Sequence, residues 1–137
     1  MREYDKMARE FLENVGAELK IEYIGDVEGF PNSDDKLMHR EYKCELSREG
    51  HIYEFPFYGS YMDWKNEKDP SEYDVLSCLE PWDPGSIDDF VEMYGYEVHK
   101  WADVRRIEKI YEEVLKQYRA LAGMFSDDEL EMLGEIQ

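Results

Sequence analysis

The sequence has little cysteine and no long apolar run. Its 137 residues include only Cys44 and Cys78, which are far apart and belong to no CxxC pattern. It shows neither a secretory signal pattern nor an apolar stretch of bilayer-spanning length. A disulfide-rich secreted scaffold is therefore excluded, and we expect a reduced cytosolic setting without membrane insertion.

The motifs of common enzyme and metal sites are also missing. His39, His51 and His99 share no HExxH or HxH spacing, and none lies at zinc-ligand spacing from a cysteine. The sequence contains no GxSxG, P-loop or GxGxxG motif, and a Pro-Gly-Ser turn follows Asp83 where a calcium loop needs further ligands. A pair of carboxylates can indicate a glycoside hydrolase, but in a chain with 34 acidic residues some pair will be close by chance. We expect no enzyme activity, catalytic residue, metal or cofactor.

Positive charge is scarce. Sixteen Lys and Arg stand against 34 Asp and Glu, which gives a net charge of -18. Phosphate recognition needs clustered cations, so this balance argues against direct binding to nucleic acid and to anionic membranes. The partners that it favours are basic proteins, and the most basic proteins in a cell have usually evolved to hold DNA or RNA.

The composition is nevertheless that of a folded protein. Hydrophobic residues make up 42% of the chain and aromatic residues 15%, well above the levels of acidic disordered chains. A chain of this length buries enough surface to fold without covalent staples. We therefore predict a single domain over residues 1–137.

The first half of the chain predicts one helix and three strands. Apolar residues recur at helical spacing over 2–15 and end at Gly16, and a period of two begins at Glu18. Residues 25–36 are predicted to form a loop, and the alternating stretches around Cys44 and Phe55 a β-hairpin. Pro56 cannot donate to a ladder, which indicates an edge strand. The segment 59–68 is predicted to be irregular.

The second half predicts four helices. They begin near Ser71, at Ser86, at about residue 101 and at Ser126, and the third one extends to about residue 122. The expected fold class is α+β, in which a small antiparallel sheet is packed by an N-terminal helix and a C-terminal set of helices.

The most unusual feature is an acidic run without any Lys or Arg, from Asp69 to Glu97. Its nine carboxylates are Asp69, Glu72, Asp74, Glu80, Asp83, Asp88, Asp89, Glu92 and Glu97. Helix capping accounts for Asp88 and Asp89, but Glu92 repeats the charge of Asp88 one helical turn later. Such a run lowers stability unless a cationic partner compensates it. Alternatively, Arg105, Arg106 and Lys109 fold back against it as intramolecular counter-charges.

Several aromatic residues lie at segment edges, where they are available for an interface. These are Tyr61, Trp64, Trp82 and Trp101. Trp and Tyr are enriched among residues that anchor protein interfaces, whereas the regularly spaced Phe55, Phe57, Phe90 and Tyr111 fit a core.

Three stretches resemble a family of small acidic proteins encoded by bacteriophages and prophages. They are residues 71–79, the segment from Asp83-Pro84-Gly85-Ser86 through Gly95-Tyr96, and residues 106–111. The resemblance extends over residues 69–137 and is loose before them. It implies a phage origin and action in the cytoplasm of the bacterial host. Proteins of this kind often inhibit host defence enzymes by presenting carboxylates where the enzyme expects phosphates.

Charge and resemblance together lead to one hypothesis. The protein is expected to be an anti-CRISPR type inhibitor that binds a CRISPR-Cas effector subunit, a basic nucleic-acid-binding protein, and mimics DNA. The predicted partner-binding residues are Asp69, Glu72, Asp74, Glu80, Trp82, Asp83, Asp88, Asp89, Glu92, Tyr96 and Glu97. The alternative is a phage structural or replication accessory protein that joins a complex through its aromatic edges. Salt distinguishes the two, because only the phosphate mimic loses its partner steeply as ionic strength rises.

Overall fold

A computed structural model describes residues 2–31, 33–95 and 99–136. One helix precedes a three-stranded antiparallel sheet, and the remaining helices follow it, so the α+β prediction is confirmed. The elements are α1 (Glu3–Val15), β1 (Glu18–Glu28), β2 (Met38–Arg48), β3 (His51–Tyr58), α2 (Tyr61–Lys65), α3 (Glu72–Leu76), α4 (Ile87–Tyr94), α5 (Trp101–Ala122) and α6 (Asp127–Gly134).

The apolar stripe of α1 forms its buried face. Ala8, Phe11, Leu12 and Val15 are buried, as their spacing of three and four residues predicts. The helix ends at Gly16, whose φ of 68° is left-handed and therefore costs glycine little.

The strands pair in the order β1, β2, β3, with the predicted hairpin between β2 and β3. Cys44 lies opposite Phe55 and Leu46 opposite Tyr53, so both alternating rows face the core. Glu49 and Gly50 make the connection with φ values of 49° and 82°, which fits the type I′ turn that a two-residue hairpin favours. Pro56 lies in the edge strand β3, as expected.

The predicted loop over residues 25–36 begins too early. β1 continues to Glu28, because its last residues pair with the start of β2, and the register shifts between Tyr23 and Gly25 at a β-bulge. Local glycine signals predicted a loop, but the partner strand satisfies the backbone of these residues.

Residues 59–68 also differ from the prediction of an irregular segment. They contain α2, which Ser60 caps by accepting a hydrogen bond from the Asp63 amide at 3.1 Å. Five described helices therefore follow the sheet, where four were predicted. A helix of five residues is too short to produce a recognisable apolar period.

The core lies where α1, α3, α5 and α6 meet one face of the sheet. Leu12, Tyr42, Leu76, Leu121 and Leu133 are almost completely buried there. None of the described helices combines the length and the apolar character that crossing a bilayer requires.

Candidate acidic interface

Helix α4 carries the acidic residues that the sequence singled out most strongly. Ser86 caps the helix in a capping box: its Oγ accepts from the Asp89 amide at 3.2 Å, and the Asp89 carboxylate accepts from the Ser86 amide. Buried Phe90 packs against Tyr111 of α5, with ring centroids 5.4 Å apart. Tyr111 also donates its hydroxyl proton to the Gly85 carbonyl. The long helix therefore holds α4 and its N-terminal turn in place.

Three carboxylates of the run line one shallow concavity of about 400 Å³. Asp83, Asp89 and Glu92 surround it together with Met93 and the turn residues Pro84 and Gly85. We call this surface the α4 groove. Asp83 Oδ1 accepts a hydrogen bond from the Gly85 amide at 2.9 Å, which holds that carboxylate at the rim.

No described cation forms an ion pair with the carboxylates of the α4 groove or with Asp88 beside them. Within residues 2–31, 33–95 and 99–136, Asp83, Asp88, Asp89 and Glu92 form no ion pair. All four are exposed. Asp88 and Glu92 stand one helical turn apart, so their charges repel each other.

The start of the acidic run is compensated by this protein's own cations. Asp69 accepts from Arg40 Nη1 at 3.1 Å and from the Tyr42 hydroxyl at 2.9 Å. Glu72 accepts from Arg9 Nη1 at 3.1 Å, which links α3 to α1. These two carboxylates have roles in the fold that the sequence did not indicate.

The other predicted interface residues have separate environments. Asp74 completes the capping box of Ser71, and Glu80 accepts from the Tyr94 hydroxyl at 2.8 Å. Tyr96 and Glu97 lie outside the described residues. The structure therefore brings Asp83, Asp89 and Glu92 together around the α4 groove, with Asp88 one helical turn before Glu92. It places the earlier acids in ion pairs, a helix cap and a hydrogen bond with other parts of the fold.

The predicted counter-charges on α5 form no ion pair with the described part of the acidic run. Arg105, Arg106 and Lys109 make no ion pair with any residue that the structure describes. Among the described residues, Arg9 and Arg40 supply the internal compensation of the run, and they reach Glu72 and Asp69.

Trp82 lies between the acidic turn and α6. Its indole packs so closely on Gly134 that a Cβ there would lie 2.4 Å from a ring carbon, and about half of the residue stays exposed. Trp82 and Asp83 both line a second small concavity, together with residues of α6. An apolar side chain therefore adjoins the acidic surface.

Two exposed apolar residues lie outside the predicted set of partner-binding residues, although Trp101 was among the aromatic residues expected to be available for an interface. Met93 on α4 is 71% exposed and lines the α4 groove, and Trp101 at the start of α5 is 80% exposed. A sequence signal existed for Met93, because it lies outside the stripe of Ile87, Phe90 and Val91 that faces the core.

A larger cavity, of about 760 Å³, lies beside the second half of β1 and the start of β2. Arg40 stacks over the Tyr23 ring at 4.0 Å there, and Trp64, Lys65 and Glu67 complete the wall with Asp26 and Asp69. The lining has both signs of charge but no serine, cysteine or histidine.

The described residues include no metal-binding arrangement of His, Cys, Asp and Glu. Buried His39 contacts the Asp35 carboxylate through Nε2 and the Gly59 carbonyl through Nδ1, which ties the β1–β2 loop to the sheet. Cys44 and Cys78 are both free, and burial raises the pKa of the Cys44 thiol to about 12.

Comparisons with protein-family models, with curated proteins and with solved structures give no match to this chain. A functional assignment therefore rests on its own residues.

Proposed function

We propose that this protein is a non-enzymatic inhibitor that uses the α4 groove to occupy the nucleic-acid-binding surface of a basic protein. The observation that carries the proposal is the set of exposed carboxylates Asp83, Asp88, Asp89 and Glu92, which no described cation neutralises. A surface of this kind is costly to an isolated domain and complementary to a groove of Arg and Lys.

The spacing of the carboxylates supports phosphate mimicry. Asp88 and Glu92 are four residues apart on a helix, which corresponds to about 6 Å along its axis. Each DNA strand carries one phosphate per about 3.4 Å of axial rise, and the two carboxylates likewise place like charges within a few ångströms of each other. Met93 and Trp82 adjoin the charges and supply apolar contact area of the type that anchors interfaces.

The partner class follows from charge and from the resemblance to phage proteins. A CRISPR-Cas effector subunit in the cytoplasm of a bacterial host has the basic nucleic-acid channel that this surface fits. No catalytic step is assigned to the inhibitor, which acts by excluding DNA.

The test measures DNA binding by a panel of purified, guide-loaded CRISPR effectors in the presence of this protein. The test variant combines Asp88→Lys with Glu92→Lys. It keeps Asp89, whose carboxylate completes the capping box of α4. We expect the double variant to lose at least about tenfold in inhibition, since both charges become repulsive to the partner. Inhibition by the parent protein should also weaken steeply as NaCl rises.

A matched control makes the same change in net charge on a different surface of the protein. Glu3→Lys with Glu10→Lys alters two exposed residues of α1. This control should inhibit as the parent does. Full inhibition by the α4 variant would exclude the groove as the binding site, and no effect of the parent on any effector would refute the CRISPR partner.

An accessory role in assembly is the second candidate, and the exposure of Trp101 and Met93 favours it. Binding through these side chains would be almost insensitive to salt, and Trp101→Ala would weaken it more than the charge reversals.

A further inference from the structure

The edge of β1 has an open row of main-chain hydrogen-bonding groups. The Gly59 amide donates to the Arg40 carbonyl at 3.0 Å, so Arg40 and every second residue after it in β2 direct their main chain towards β3. Cys44 is one of these residues, so its main-chain groups bond to β3 and not to β1. Ile21 lies opposite Cys44, and the N–H and C=O of Ile21 therefore point away from β2. Those of Leu19 and Tyr23 do the same. None of these groups bonds to another described residue.

The side chains along this edge are complementary to themselves. On one face of β1, Leu19 and Ile21 are half-buried and Tyr23 is 43% exposed. The opposite face carries Lys20 and Glu22, both exposed, which lie opposite Glu45 and Lys43 of β2. Lys20 Nζ is 3.9 Å from Glu45 Oε2, so a pair with the second copy would share this lysine. An antiparallel two-fold pairing centred on Ile21 places Lys20 opposite Glu22 of the second copy, and Leu19 opposite Tyr23.

Only this register uses the edge fully. A centre at Lys20 or at Glu22 would place two like charges opposite each other at the two-fold axis. The bulge after Tyr23 turns the strand, which limits the contact to residues 18–23.

We propose that β1 pairs with β1 of a second copy of this chain, in an antiparallel two-fold dimer centred on Ile21. The two sheets join into one of six strands. Two Lys20–Glu22 pairs form across the two-fold axis, and the half-exposed apolar row becomes covered. Lysine on an edge strand usually opposes such pairing, but here an acid of the other copy lies opposite it.

This inference is independent of the proposed function and has the opposite salt dependence. Each copy carries a charge of -18, so the copies repel each other and added NaCl should strengthen the dimer. Binding to a basic partner should weaken under the same conditions.

Sedimentation velocity over a range of protein concentrations tests the register by a charge swap. Lys20→Glu and Glu22→Lys should each raise the dimer dissociation constant about tenfold. In either variant, residues 20 and 22 of the two copies carry the same charge and face each other at two places in the dimer. The double variant K20E/E22K should restore the parental value, because its charges are complementary again and the net charge is unchanged. A parent chain that stays monomeric, or a double variant as weak as the single ones, would overturn the proposal.

A proline scan provides the matched structural control. Ile21→Pro removes an outward N–H and should abolish the dimer. Ile52→Pro removes an outward N–H from the other edge of the same sheet, on β3, and should leave it intact. Circular dichroism establishes that both variants fold, and equal dimerisation by both would contradict the proposed edge.

Discussion

At the scale of single residues, the ion pair between Arg48 and Glu129 illustrates how one contact joins distant elements. Arg48 Nη1 donates to Glu129 Oε1 at 2.6 Å and to the Met124 carbonyl at 2.9 Å, which ties the end of β2 to α6. Glu129 also accepts from the Ser126 amide. The Arg48 guanidinium and this amide lower the pKa of Glu129 to about 2.

Glu129→Gln should therefore reduce the free energy of unfolding at pH 7 by about 1 kcal/mol, allowing for a partly exposed pair. The folded-state pKa is depressed, so the stabilisation is complete above the unfolded-state pKa near 4.5 and is lost as pH falls towards 2. Urea unfolding at pH 7 and at pH 2.5 measures the difference, which should shrink at the lower pH. Glu131→Gln, an exposed neighbour on α6, is the control. A deficit that is independent of pH would contradict this assignment.

At the scale of elements, a loop can require glycine for two reasons: a left-handed backbone, or a neighbouring backbone that lies too close for a side chain. Gly29 and Gly50 have similar φ values of 78° and 82°. A Cβ on Gly29 would lie 2.2 Å from the Asp35 carbonyl oxygen, whereas a Cβ on Gly50 would meet nothing within 4 Å. The loop after β1 folds back on itself at Gly29, which bonds to the Leu37 carbonyl.

Alanine at these two glycines should have clearly different effects. Gly50→Ala pays only for the left-handed backbone, about 1 kcal/mol of unfolding free energy. Gly29→Ala should cost about 1–3 kcal/mol more, since the backbone of Asp35 must move. Equilibrium unfolding in urea compares the two variants, and equal losses would show that the close approach is not rigid.

At the scale of the whole molecule, negative charge opposes the compact state. The net charge is -18, and ion pairs such as Arg9–Glu72 and Arg40–Asp69 neutralise only some of the carboxylates that the structure describes. Screening of the remaining repulsion should outweigh the weakening of these exposed pairs.

Thermal unfolding should therefore shift to higher temperature as NaCl rises from about 0.01 M to about 0.15 M, while the Debye length falls from about 30 Å to about 8 Å. The variant D88K/E92K should be more stable than the parent at low salt and less sensitive to NaCl. Calorimetry at a fixed protein concentration measures both effects. A lower melting temperature in salt would mean that ion pairs dominate the electrostatics.

The sequence by itself determined the α+β class, the buried face of α1 and the hairpin of β2 and β3, because helical and strand periods are local properties. It also determined that Ser86 caps α4, since the capping box lies within four residues. It failed at α2, which is too short to show a period. It also failed at the end of β1, where pairing with β2 keeps the chain extended although Gly25 is typical of a loop.

Only the tertiary structure decided which acids keep an unneutralised charge. Asp69 meets Arg40 across 29 positions and Glu72 meets Arg9 across 63, so no pattern in the acidic run could separate them from Asp88 and Glu92. Ion pairing between distant residues depends on how the elements pack. Among the described residues, the same packing leaves the α4 groove without a paired cation and the outer edge of β1 without a strand beside it.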